Sequence, residues 1–172
     1  MAKSALSASL KTVSKEEDFD IGLKDDYRQK ISEDLSEILA SSYQLMIKSH
    51  IYHWNVVGPL FKPLHELTES HYQTLFEAID IIAERIRALG HLAPVSIGDA
   101  AGFSPTSKGV NHKVAGDMVR DLIADHEAAV RAMRKAGSMA DENDDLVTAD
   151  MLTDRLTFHE KALWMLRAIV AN

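Results

Sequence analysis

Residues 48–90 read KSHIYHWNVVGPLFKPLHELTESHYQTLFEAIDIIAERIRALG, and this stretch decides the fold. Its middle, Asn55 to Pro59, is a stop signal between two amphipathic runs, with Gly58 available for a left-handed helix cap. Upstream, Tyr27, Ile31, Leu35, Ile38, Leu39, Met46 and Trp54 recur at steps of three, four and seven. That spacing predicts one helix from Asp25 to the stop. Downstream, Phe61, Leu64, Leu67, Tyr72, Leu75, Phe76, Ile79, Ile82, Ala83 and Ile86 keep the same period as far as Gly90. Pro63 fits this second helix because the first turn has amide groups to spare.

Beyond Gly90 the pattern lapses. Residues 91–111 hold Pro94, Gly98, Gly102, Pro105 and Gly109, which predicts a long connection with a short helix near 96–102. Val114, Met118, Leu122, His126, Val130 and Met133 predict a third helix over about 112–137, ended by the acidic run Asp141 to Asp145. Leu152, Leu156, Leu163, Trp164, Leu166 and Ile169 predict a fourth over about 146–170. Four long helices with two short links and one long link describe an all-α, ferritin-like four-helix bundle with a crossover between helices two and three. With only 8 Gly and 4 Pro in 172 residues, few and long elements are expected. The bundle domain takes residues 25–172, and residues 1–24 form an N-terminal arm with weak apolar periodicity, expected to be flexible.

Composition narrows the function. With no cysteine there is no disulfide frame, no thiolate metal site and no thiol catalysis. No apolar run is long enough to span a bilayer, and the first residues carry no secretory-type apolar segment. The balance of 19 Lys+Arg against 26 Asp+Glu, net −7, argues against a nucleic-acid-binding body. The absence of cysteine fits a reducing compartment, and the expected location is the cytoplasm.

The candidate chemistry lies in the quoted stretch. His50, His53, His65 and His71 fall within 22 residues, near Glu66, Glu69, Glu77, Asp80 and Glu84. Histidine with carboxylate suits iron, manganese or zinc. At 100° per residue, Glu69, Asp80 and Glu84 lie about 40°, 60° and 100° from His65, on one stripe. His65 with Glu69, and Asp80 with Glu84, are i,i+4 pairs, but the pair centres lie about 22 Å apart along the helix. One chain cannot close one ion with both. A two-fold axis near residues 74–75 resolves this, because an antiparallel copy of helix two sets each His65/Glu69 pair against an Asp80/Glu84 pair. His53, just before the turn, is placed to add a ligand. The opposite design, a di-iron site inside the bundle, needs Glu-x-x-His motifs, and the sequence has none.

Residues 48–90, and in them HWNVVGPLF, the histidine twelve residues after His53, and D-x-x-A-E-R from Asp80, closely resemble the Dps family of miniferritins (DNA-binding protein from starved cells). The tail TADMLTDRLTFHEKALWML extends the resemblance to roughly residues 25–170. The resemblance implies a hollow homo-dodecamer that oxidises Fe(II), preferentially with hydrogen peroxide, at two-iron centres between subunits. It implies storage of ferric mineral inside and protection of DNA. The family's ligands fall on His53, His65, Glu69, Asp80 and Glu84. Many members carry Asp where this chain has Glu69. Trp54 matches the tryptophan beside that centre and is a candidate electron donor. His50 and His71 are candidates for further metal binding, with zinc a candidate occupant of the centre. Asp141, Glu142, Asp144, Asp145 and Asp150 are candidates for the carboxylate lining of a three-fold pore, Asp150 foremost. Lys3, Lys11 and Lys15 are candidate DNA contacts in the arm, acting through many copies and weakening with salt. His126, His159 and Trp164 read as bundle packing. The alternative function is a DNA-compacting structural protein whose metal site is vestigial or holds zinc.

Overall fold

The computed structural model describes residues 12–18, 20–94 and 112–171. The helices are α1 (Asp25–Asn55), α2 (Phe61–Ala88), α3 (Ala115–Glu142) and α4 (Leu146–Ile169). No strand occurs among the described residues, and none of the helices is long and apolar enough to cross a membrane. The short helix expected near 96–102 lies outside the described residues.

Two sets of long-range contacts fix the helix directions. Tyr27, near the start of α1, donates its hydroxyl to Asp145, just beyond α3, at 2.9 Å. Lys48, near the end of α1, pairs with Asp121 and Asp125, near the start of α3, at 2.9 and 2.5 Å. The two helices therefore run antiparallel. Short links make α1/α2 and α3/α4 antiparallel hairpins as well. It follows that α2 and α3 run the same way, and only a long crossover can join them.

The apolar stripes meet in two clusters. One gathers Ile31, Leu35 and Ile38 with Ile79, Ile82, Ile86, Met133 and Leu152. The other gathers Leu45, Tyr52, Leu64, Leu75, Met118, Leu122 and Leu166. Along α3, His126 falls between Leu122 of the second cluster and Ala129 of the first, and along α4 His159 falls between Leu152 and Leu166. Buried histidine thus marks the division. α1 packs on α2 and α3, and α3 on α4, whereas α2 and α4 meet least.

α3 runs further than expected. The acidic run does not end it at 137; it continues through Asp141 and Glu142. The Asp145 amide donates back to the Ala140 carbonyl at 2.9 Å and the Asn143 side chain donates to the Met139 carbonyl at 2.9 Å. The link is then a three-residue turn with Asp144 at φ +59°.

The described part of the arm is tied down rather than free. The Glu17 amide donates to the Gly90 carbonyl at 2.8 Å. Arg87 reaches the Lys15 carbonyl and the Glu17 carboxylate, both at 3.4 Å. Gly90 permits this, because its φ is +94° and a Cβ there would lie 2.4 Å from the Glu17 carbonyl oxygen. Gly90→Ala is expected to cost about 1–3 kcal/mol through left-handed strain and to push residues 15–18 off α2. Thermal melting measures the first effect, and faster tryptic cleavage after Lys15 measures the second.

Candidate metal centre

The turn between α1 and α2 sets two histidines face to face. α1 stops at Asn55, Val56 is extended and Gly58 takes φ +85°. The rings of His53 and His65 then stack with centroids 3.7 Å apart and planes 18° apart. Their hydrogen bonds are reciprocal: His53 Nδ1 lies 2.9 Å from the His65 carbonyl, and His65 Nδ1 lies 2.8 Å from the His53 carbonyl. A carbonyl only accepts, so both Nδ1 atoms carry the proton. In the neutral rings both Nε2 atoms then keep a lone pair. This is how a backbone carbonyl fixes the tautomer of a metal-binding histidine. The same bond satisfies the His53 carbonyl, one of the last four of α1, which have no partner further along the helix.

Glu69 stands one turn beyond His65 and is half-buried. The Tyr72 hydroxyl approaches it at 3.5 Å, and burial together with the Glu69 charge raises the Tyr72 phenol above its ordinary value. Tyr72 also meets the edge of the His53 ring at 5.4 Å and the His50 ring at 3.8 Å. Sequence reading missed this residue as a site component; its i,i+3 spacing from Glu69 was the available signal. His50 stacks on Trp54 at 5.2 Å. Partial burial, and then the neighbouring His53, lower its pKa. Trp54 itself is 66% exposed.

Asp80 and Glu84 lie at the other end of α2. Both are exposed, and among the described residues neither has a hydrogen-bond or ion-pair partner. Also among those residues, no three His, Cys, Asp or Glu side chains converge to hold an ion. One chain therefore carries two half-sites: two aligned imidazoles with one carboxylate at the start of α2, and two unpaired carboxylates near its end. Phe76, between them on the same stripe, is 68% exposed.

The other candidate residues divide. His71, put forward as a further ligand, is buried in the bundle with His126 and His159, the two histidines expected in the interior. Trp164 is not, being 69% exposed. Asp141, Glu142, Asp144 and Asp150 are exposed, as a pore lining requires. Asp145 is corrected: it is 2% exposed and its carboxylate caps α4 by accepting from the Thr148 amide at 3.0 Å. Lys3 and Lys11 lie outside the described residues, and Lys15 is exposed.

The architecture and the half-sites define a ferritin-like protein, and a family model of the ferritin-like domain matches residues 32–172. The chain is 43% identical over 157 residues to an uncharacterized low temperature-induced protein of Nostoc sp., covering 87% of this chain and 85% of that one. It is 33% identical over 142 residues to DNA protection during starvation protein 2 of Bacillus anthracis, covering 83% and 97%. Among solved structures it is similar to the Dps protein of Vibrio cholerae O1, described as a member of a broad superfamily of ferritin-like diiron-carboxylate proteins. That match has a TM-score of 0.81 and 25% identity, and it covers 93% of this chain and 100% of that one. The chain belongs to the Dps family.

Proposed function

We propose that this chain oxidises Fe(II) at two-iron centres shared between two copies, and stores the ferric product inside a closed homo-dodecamer. The observation that carries this reading is the pair of complementary half-sites on α2, each too poor in ligands to work alone. Apposed about a two-fold axis near residues 74–75, His65 and Glu69 of one copy meet Glu84 and Asp80 of the other, with His53 alongside. The donor set supports iron rather than zinc, because the three carboxylates favour the ferric state and so the loss of an electron. The diiron-carboxylate description of the Vibrio cholerae neighbour supports the same ion.

Hydrogen peroxide is the proposed oxidant. Two Fe(II) supply two electrons to one peroxide, which takes up two protons and leaves as two waters. Paired delivery avoids the one-electron cleavage that releases hydroxyl radical. Trp54, stacked on His50, is placed to donate an electron when only one Fe(II) is bound. Removing Fe(II) and peroxide together protects DNA without requiring the protein to touch it, which agrees with the acidic body. The exposed acids Asp141, Glu142, Asp144 and Asp150 draw cations inward where copies meet.

The test is iron retention. Fe(II) is added anaerobically to assembled particles, peroxide follows, and iron is measured in the particle fraction after gel filtration. Soluble ferric iron travelling with the particle is expected, with oxidation in Asp80→Ala slowed at least tenfold, on the order of a lost metal-site interaction. Equal rates in both, with iron precipitating outside, would overturn the reading.

A further inference from the structure

We propose that the buried histidines His71, His126 and His159 form a second, mononuclear site for a divalent transition-metal ion, inside the bundle of each chain. Three helices supply the ligands: α2, α3 and α4. The residues are 3%, 0% and 1% exposed. Nδ1 of His126 and Nδ1 of His159 lie 2.9 Å apart, so one ring donates its proton to the lone pair of the other. Nitrogens bound tetrahedrally to one ion at about 2.0–2.1 Å sit roughly 3.3 Å apart. To hold an ion the pair opens by a few tenths of an ångström and the rings tilt, while the proton between them moves to an outer ring nitrogen such as His126 Nε2, which has no partner.

The third ring stands beside them. The ring centre of His71 is 5.3 Å from that of His126, and its Nδ1 is buried with no hydrogen-bond partner, as is His126 Nε2. Each such orphan costs about 1–3 kcal/mol, so a layer that only packed would be better built from leucine. As placed, the rings do not surround one centre. The proposed site therefore requires His71 to turn about χ2, a broad torsion, to bring its free nitrogen to the pair. Burial keeps His126 and His159 neutral, the form a metal requires.

The site has an entrance. α2 and α4 meet least of the neighbouring helices, and between them opens a cleft of about 530 Å³ lined by Pro63, Glu66, Ser70, His71, Phe158 and Lys161. It ends on His71. Three neutral imidazoles with the fourth position toward such a cleft match the donor set of His₃ sites, which complete their shell with water or hydroxide. The charged residues lining the cleft are of both signs: Glu66, paired with Lys62 at 3.7 Å, and Lys161. Arg155, one turn before His159, lies 6.0 Å from the Phe158 ring, and after burial its charge also lowers the His159 pKa. This is not the two-iron design of other bundles, since it uses no carboxylate and no Glu-x-x-His motif.

The experiment titrates Co²⁺ into the full chain carrying His65→Ala and Asp80→Ala, so the shared centre is already broken. Expected is one tightly held Co²⁺ per chain with the intense visible absorption of a four-coordinate ion. His126→Gln or His159→Gln in that background is expected to lose the band and at least tenfold in affinity. No such band in the parent, or a band unchanged by both glutamine variants, overturns the proposal. Should those variants not fold, a crystal of the unsubstituted chain soaked in Zn²⁺ decides: an anomalous peak among the three rings supports the site, and ordered water there overturns it.

Discussion

Particles co-assembled from equal amounts of His65→Ala and Asp80→Ala chains are expected to recover about a quarter of the native rate of Fe(II) oxidation, although either chain alone loses at least about nine-tenths of it. The arithmetic follows from the proposed two-fold axis. Each proposed centre takes His65 and Glu69 from one copy and Asp80 and Glu84 from the other. In a mixed dimer both substitutions fall on the same centre, and the second centre is native. Random pairing makes half of the dimers mixed, and half of their centres are intact. A centre built within one chain predicts no recovery, because every copy carries a defect. Stopped-flow oxidation kinetics on mixed and unmixed particles, each shown by gel filtration to be assembled, separate the two cases. Absence of recovery in intact mixed particles would remove the shared centre.

The two pairs of candidate ligands could be placed on α2 because i,i+4 spacing on a regular helix needs no tertiary information. His65 with Glu69 and Asp80 with Glu84 can be placed by counting, and so can the gap of about 22 Å between them. The reciprocal bonding of His53 and His65 was not legible. It depends on how Val56 and Gly58 turn the chain, and on a carbonyl left over at the end of α1. Trp164 shows another limit. Leu163 is buried and Leu166 is buried, but a residue one step along is rotated by 100° and faces outward. The end of α3 was hidden for a third reason. Four acids in five residues of sequence look like a break, yet Asp141 and Glu142 simply project into solvent from a helix whose last carbonyls are satisfied from the link. Which of those acids turns inward depends on Arg85 and Tyr27, which lie 60 and 118 positions from Asp145.

Those distant partners make Asp145→Ala the largest expected loss of stability, about 3–5 kcal/mol. Asp145 Oδ1 accepts from Arg85 at 2.7 Å and from the Thr148 amide at 3.0 Å, and Oδ2 accepts from Tyr27 at 2.9 Å and from the Thr148 hydroxyl at 2.6 Å. Arg85 Nε then donates to the Thr148 hydroxyl at 2.8 Å. Truncation strands a guanidinium, a phenol and a helix amide together, joining three helices that no longer agree. Asp141→Ala, exposed on the same turn, is expected to change stability by less than about 0.5 kcal/mol. Tyr27→Phe, which removes one donor, is expected to cost about 1 kcal/mol. The pH dependence has a definite sign. Burial pushes the Asp145 carboxyl up, but the bonds from Thr148, Arg85 and Tyr27 outweigh it and hold it below its ordinary value. The folded chain therefore binds this proton less readily than the unfolded one. The stabilisation is complete above the ordinary carboxyl value of about 4 and is lost as pH falls through the lower folded value. Urea denaturation at one fixed protein concentration, which holds the assembly contribution constant, measures all three variants. In Asp145→Ala the acid-side slope should flatten as well as the midpoint fall. A lowered midpoint with the native slope would mean that the carboxylate contributes shape rather than charge.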